Sequence, residues 1–577
     1  MYKRKAFLKV SVKTLIVLLT VAGISEVMFI RTTQAISIFT VTNTNDAGAG
    51  SLRQAILNAN ASPGFDIINF AIPGTGVKTI SPLTPLPRIT DQIFIDGWSQ
   101  GGLTYSGPPL IEISGISVST PGVPGLRIGC IFEGCESGNI SVDFSTLRGL
   151  IVNGFPGNTA HGIVMFGSNN SIRGCYIGTT ANGEAALPNG GSGIRLREGF
   201  DNVIGGTIDS SRNIVSGNLG DGITIFNSNN NRIQGNYIGL SASGLIDVGN
   251  GASGISIGGA DNFVGGSSAG MRNVISGNGL DGITMFNPLA FMPLINDNRI
   301  EGNYIGTKPD GVSSGVGNDR WGIQLGAQGA NQTVIGGVFG SSGNVISGNG
   351  SGRTEGGGIR IFQSVANRIQ SNLIGVGADR TTQLGNLGDA ISIESSGDNR
   401  IGGALTFSGF TFASGNLIAF NQGTGVRIAG SFSIENRISH NLIHSNSALG
   451  IDLEPLAVTA NDLCDADTGP NQLQNFPVIT SVTPAPGGGI TIAGRVNGPL
   501  SNYRIEVFNS NTCDTSGNGE GEQFLGSTTT TNTLAFCRAV FVVTVPNITS
   551  GQANFITATA TDPSGNTSEF SACFEVH

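Results

Sequence analysis

The apolar and polar positions between residues 160 and 455 fall into a repeating pattern. A short word recurs in which a small residue precedes alternating aliphatic and variable positions. It opens at Gly162 (GIVMF), Gly193 (GIRL), Gly222 (GITIF), Gly254 (GISI), Gly282 (GITMF), Gly322 (GIQL), Gly358 (GIRIF), Gly425 (GVRI) and Gly450 (GIDL), and AISI at Ala390 fills the remaining gap. The mean spacing of these openings is 32 residues. Alternation at period two predicts a strand with Ile inward and the intervening residue outward. Two further words follow each one. The first is Asn-led, NRI or NxxGG, at Asn202, Asn231, Asn262, Asn298, Asn367 and Asn399. The second is GNYIG or NxIxGN, at Asn213, Asn236, Asn273, Asn303, Asn344, Asn372, Asn416 and Asn441. Helical periodicity is absent from this stretch.

One period therefore holds three short strands, too small to bury an apolar face alone. Stacking each strand on its counterpart in the next period closes a continuous core. This predicts an all-β chain built as a parallel β-helix, rising ~4.8 Å per turn. Recurrent Asn fits corners where side-chain amides bond to their own kind above and below. Recurrent Gly fits corners that need positive φ. After YIG or LIG comes a long loop on every second turn (TTANGEAALPNGGS, LSASGLIDVGNGAS, TKPDGVSSGVGNDRW, VGADRTTQLGNLGD), while the connection after VISGN is short. The long loops should stack as a ridge on one side, where solenoids often bind.

Composition narrows the function. Glycine supplies 90 of 577 residues, roughly twice average usage. Charged residues are 12 % and the net charge is −9. With no basic cluster beyond the N-terminus, nucleic acid is excluded as a partner. Lys3, Arg4, Lys5, Lys9 and Lys13 precede an apolar run at 14–24 that is short for a membrane span, and Thr33 and Ala35 offer a small-residue cleavage site. Residues 1–35 read as a secretory signal peptide, with an uncleaved anchor as the alternative. No second hydrophobic span follows, so the chain is expected to be secreted or at the cell surface. Export permits disulfides among the seven Cys. Cys513 and Cys573 are expected to pair, whereas Cys464 and Cys537 have no evident partners.

The segment FTVTNTNDAGAGSLRQAILNANASPGFDIINF, residues 39–70, resembles an N-terminal module known by a Cys-Ser-Leu-Arg-Glu-Ala signature, with Gly50 for the Cys and Gln54 for the Glu. The GNYIGT…GN…GI and RNVISGN…GI repeats resemble bacterial right-handed parallel β-helix proteins of the broad pectate-lyase-like class. The tail NFPVITSVT…TATATDPSGNTSEFSACFEV resembles the β-sandwich that often ends such chains. Its alternating runs (GITIAGRV, NYRIEVFN, AVFVVTV) predict antiparallel strands. The expected organisation is a signal peptide at 1–35, a cap with a helix at 51–60 and the first turns at 36–140, repeats at 141–455, an acidic linker at 456–472 and a small antiparallel Ig-like β-sandwich at 473–577.

Asp221, Asp281 and Asp389 each stand before a strand word, and Arg195, Arg360, Arg427 and Asp452 occupy outward positions. The resemblance implies that acidic side chains there hold Ca²⁺ or act as acid and base, with an Arg as base. The competing reading makes each Asp a corner cap in an ordinary Asp-Gly turn. GISIG matches a nucleophile-elbow pattern, but Ser256 is a repeat position without the strand-to-helix turn that motif needs. His440 and His444, four apart with Asp452 and Glu454 downstream, would share a face and could hold a metal only on an unbroken strand; with a corner between them they are two exposed polar residues. Asp462, Asp465 and Asp467 partly resemble a calcium loop, without its bidentate Glu. Ca²⁺ is the one cofactor these residues suggest. Phe166, Phe226, Phe286 and Phe362 suggest a stacked ladder. Two functions follow: an exported or cell-surface protein that binds glycans or surfaces through the stacked loops, or a polysaccharide lyase or hydrolase.

Overall fold

The computed structural model describes residues 36–576 apart from 131–139, 286–294, 327–328, 339–340, 352–354, 408–409, 487, 500, 533–536, 547 and 549–552, and within residues 1–35 only two short paired strands, Leu15–Val17 and Met28–Ile30. The signal segment thus lies mostly outside the described residues, as does Phe286. No helix among the described residues is long and apolar enough to cross a membrane.

Three parallel sheets, of 11, 13 and 12 strands, wind into a right-handed β-helix. Sheet 1 holds the G-I-x-I words, sheet 2 the N-R-I words and sheet 3 the Y-I and V-I words. Along sheet 1, Ile163, Ile194, Ile223, Ile255, Ile283, Ile323, Ile359 and Ile391 pair rung by rung. All eight are fully buried in one core, as their alternation predicts.

The corners are closed by asparagine. At the turn into sheet 3, Asn213, Asn236, Asn273, Asn303, Asn344, Asn372, Asn416 and Asn441 form an unbroken column, each amide donating to the side-chain oxygen of the next at 2.9–3.1 Å. The turn into sheet 2 carries the other expected column, which Thr333 interrupts. A third column, absent from the sequence reading, runs from Asn189 through Asn218, Asn250, Asn278, Asn318, Asn349, Asn386 and Asn421 to Asn446 at the return to sheet 1. These buried amides satisfy corner backbone groups that no strand can reach.

The long loops stack as expected. Ala242 donates to Gly183 O at 2.9 Å, and Ala378 to Gly311 O at 2.9 Å. Glu184 accepts from both the backbone and the hydroxyl of Ser243.

Each end of the solenoid is covered. At the first end the helix Leu52–Ala61, capped by Ser51, inserts Leu52, Ala55, Ile56 and Ala59 into the core. Gly50 precedes it at φ +76, where an added Cβ would lie 2.3 Å from Thr42 Oγ1, so only glycine fits. At the other end stand two four-stranded antiparallel sheets sharing a core that includes Ile492, Ile505, Phe541 and Ile556. Phe508 and Phe570 from this region pack into the β-helix core. Disulfides join Cys513 to Cys573, as expected, and Cys464 to Cys537. Cys175 is free and buried.

Candidate functional site

The three aspartates before the strand words share one local role. Asp221 accepts the backbone N–H of Ser253 at 3.0 Å, Asp281 that of Trp321 at 3.1 Å and Asp389 that of Thr424 at 2.8 Å. Each therefore ties its corner to the next turn. Burial raises the pKa of all three, against these hydrogen bonds and nearby arginines.

The candidate catalytic residues do not form one centre. Arg195 and Arg360 are five rungs apart on sheet 1, or ~24 Å at the strand spacing. Arg195 keeps company with Asp221 and with His161, whose Nε2 is 3.0 Å from Arg195 Nη1. Burial and the Arg195 charge lower the His161 pKa to about 4. Asp281 lies between, with Arg320 at 4.0 Å.

Arg360 and Asp389 meet in an open groove of about 520 Å³ on the outer face of sheet 1, together with Arg427, Glu394, Glu454 and Trp321. Arg360 pairs with Glu394 at 2.9 Å and Arg427 with Glu454 at 3.2 Å. Adjacent rungs thus carry carboxylates and guanidinium groups side by side. On this face Nε of Arg360 and of Arg427, Nε1 of Trp321, Oε1 of Gln324 and Oδ1 of Asp452 are buried without a hydrogen-bond partner among the described residues. Such atoms cost free energy unless water or a ligand satisfies them.

Trp321 and Glu394 escaped the sequence reading, and Glu454 entered it only as a carboxylate downstream of His440 and His444. A signal existed: among the ten strand words only ISIE and IDLE end in Glu, at the position held elsewhere by Phe, Arg, Gly or Ala. Its meaning depends on register, which sets Glu394 opposite Phe362 and within reach of Arg360.

Other candidates are placed differently from expectation. Phe166 and Phe226 sit two rungs apart with Arg197 between them. The Arg197 guanidinium lies 5.8 and 5.4 Å from the two ring centres, so this is a ring–cation–ring stack and not a ladder of rings. Arg360 lies 5.3 Å from the Phe362 ring centre. Ser256 is buried within the sheet 1 strand Ile255–Gly258. His440 occupies a corner at φ 59 and packs on Phe524, whereas His444 packs on Phe420. The corner separates them, so they form no metal pair, and both are partly buried.

Asp462, Asp465 and Asp467 do converge, each with an oxygen within 4.8 Å of the others. Burial, reinforced by Asp462, Asp467 and Asp562, raises the Asp465 pKa to about 7. Oδ1 of Asp467 is buried without a partner. Hard oxygen donors at this separation fit Ca²⁺.

No protein-family model matches the chain, and no curated protein matches its sequence. Among solved structures it is similar to the A-module of the Azotobacter vinelandii mannuronan C-5 epimerase AlgE4, at 14 % identity and TM-score 0.39, over 62 % of this chain and 94 % of that one. A PL6 alginate lyase in complex with a trisaccharide aligns at 13 % identity and TM-score 0.31, over 77 % of this chain and 90 % of that one. A tailspike protein, gp49 of Acinetobacter baumannii bacteriophage Fri1, a capsular polysaccharide depolymerase, aligns at 10 % identity and TM-score 0.17, over 93 % and 84 %. The fold assignment rests on the strand pairing of the three sheets.

Proposed function

We propose that this chain is an exported protein that binds a polysaccharide in the groove on sheet 1, with the stacked loops as its flanking ridge. The carrying observation is the set of buried, unpartnered donors and acceptors along an open face. Hydroxyls and carboxylates of a glycan are the natural partners for guanidinium and indole N–H groups. The fourth long loop ends in Gly388 and Asp389, which line the groove, so ridge and groove are continuous there. The Cys464–Cys537 and Cys513–Cys573 disulfides support an oxidising compartment. The strand–helix–strand at residues 37–70 suits the capping module that its signature suggests, and the two antiparallel sheets suit an Ig-like domain. The cluster at Asp462, Asp465 and Asp467 is assigned to Ca²⁺.

A second reading, a lyase or hydrolase, draws on Asp389: a carboxyl whose pKa burial raises, with Arg427 close by, is suited to proton transfer. One experiment separates the two. Polygalacturonate and alginate are offered to the wild type and to Arg427→Ala, following retention and release of unsaturated ends. Binding reads as retention weakened in Arg427→Ala with no absorbance growth. Absorbance growth abolished by Asp389→Asn, which can still accept the Thr424 N–H, establishes the enzyme. Loss of neither retention nor turnover in Arg427→Ala removes this groove from the function.

A further inference from the structure

A second cleft, of about 720 Å³, opens where sheet 2 meets the paired strands Ala404–Phe407 and Phe410–Ala413 and the C-terminal antiparallel sheets. Its floor is one column of sheet 2. In register, that column reads Val203, Arg232, Phe263, Arg299, Val334, Arg368, Arg400, Arg437. Up to Arg368 cationic and apolar rungs alternate, holding like charges two rungs apart. The last three rungs break that rule and place three arginines in succession, ~4.8 Å apart. Stacked like charges oppose folding, and no carboxylate relieves them: among the described residues Arg368, Arg400 and Arg437 have no ion pair, whereas Arg299 above them pairs with Glu301. All three are exposed. From the far wall Arg504 joins them, shared with the buried Glu506 at 3.0 Å. The break in alternation coincides with the walls of the cleft.

We propose that this cleft binds a linear anionic polysaccharide, whose carboxylates or sulfates run along the solenoid axis over Arg368, Arg400 and Arg437. Guanidinium forks bond such groups bidentately, and a chain with one anion per sugar can meet one fork per rung. The apolar wall of Val338, Ala404 and Leu405 offers a surface for sugar C–H faces. A single-stranded nucleic acid fits less well. Its bases need ring platforms, and no Phe, Tyr or Trp is among the described residues lining the cleft. The site is separate from the groove on sheet 1 and does not depend on its reading.

The test uses the full chain with polygalacturonate, dextran sulfate, neutral dextran and poly(dT), measured by titration at two salt concentrations. The expected result is binding of polygalacturonate or dextran sulfate, the stronger of the two naming the anion, with none to dextran. Arg400→Ala should weaken that binding about tenfold and flatten its salt dependence, and Arg400→Lys should fall between. Arg232→Ala, in the same column but outside the cleft, should leave this binding unchanged. Because Arg400 is exposed, its loss should not unfold the chain, and an unchanged circular dichroism spectrum checks this. Equal affinity in the wild type and the Arg368→Ala/Arg400→Ala/Arg437→Ala variant, or tighter binding of poly(dT) than of either glycan, overturns the proposal.

Discussion

The backbone N–H of Leu453 donates to Glu569 Oε1 at 3.0 Å, and that of Thr459 to Oε2 at 2.9 Å. Leu453 ends the last strand of sheet 1, so a carboxylate stands where a further strand would be. Glu520 does the same for Ser445 and Asn446, beside sheet 3, and Glu506 for His440, beside sheet 2. One glutamate from the C-terminal region thus covers each edge of the open turn, the place where a parallel solenoid is most exposed to mispairing. Glu569→Ala should strand two backbone donors and cost ~1–3 kcal/mol, read as a lower urea midpoint. A variant matching the wild type would mean that these contacts contribute nothing to the end of the solenoid.

The same glutamates give stability an unusual pH dependence. Burial raises the pKa of Glu520 and of Glu569 from 4.5 to about 7. The folded state therefore holds protons that the unfolded chain releases between these values. This contribution is fully present below about pH 4.5 and is lost as pH rises through about 7. His161, lowered to about 4, acts oppositely, but mainly below pH 6.5. Between pH 8 and pH 6 the Tm of the wild type should rise by on the order of a few degrees. Asp465, raised to about 7 by burial, adds to the same rise, so the double variant Glu520→Gln/Glu569→Gln should lose most but not all of it. An identical slope in the two proteins would assign the pH dependence to other groups.

The asparagine columns should be the least tolerant part of the fold. The Asn303 amide donates to Val264 O, Glu301 O and Asn344 Oδ1, while its oxygen accepts from Asn273. Asn303→Ala would orphan several buried groups at once, for ~2–4 kcal/mol. Asn303→Asp cannot donate and should fare no better. Ile255→Ala, in the core column, is expected to cost ~2–5 kcal/mol through its cavity. Chemical unfolding that finds Asn303→Ala milder than Thr224→Ala, at an outward position, would contradict the role given to the columns.

Repetition explains what the sequence revealed. Every period repeats the inward Ile and the Asn of two corners, so strand order, register and two amide columns could be read from the recurring words. The third column could not. Asn218, Asn278 and Asn349 close IVSGN or VISGN on short turns, Asn189, Asn250, Asn318 and Asn386 stand in LPN, VGN or LGN of the long loops, and Asn421 and Asn446 close LIAFN and LIHSN, so no single word marks the column. The groove was legible only in half. Arg360 and Asp389 stood out as outward or corner residues, but Glu394 and Glu454 matter because register sets them beside arginines of adjacent rungs. The Phe ladder failed for the same reason: Phe166 and Phe226 skip a rung, and Arg197 takes the space between.

A last prediction concerns the segment that joins the solenoid to the C-terminal sheets. Far from being a plain tether, it carries Cys464, bridged to Cys537, and Asp465 accepts the Asn475 N–H at 2.7 Å. Around this anchor Asp462 and Asp467 bring their oxygens within 4.8 Å of Asp465. Three carboxylates held together repel one another, and a divalent cation coordinated at 2.3–2.6 Å would remove that repulsion. Ca²⁺ at 100 times its dissociation constant should add roughly 2.7 kcal/mol of stability, visible as a rise in Tm that EDTA reverses. Mg²⁺ should do less, because it demands a tighter octahedron than these three groups offer. Asp467→Asn should abolish most of the Ca²⁺ response while leaving the Asp465 and Asp462 hydrogen bonds in place. A Tm indifferent to Ca²⁺ in the wild type would remove the ion from this junction and leave the segment held by its disulfide and hydrogen bonds alone.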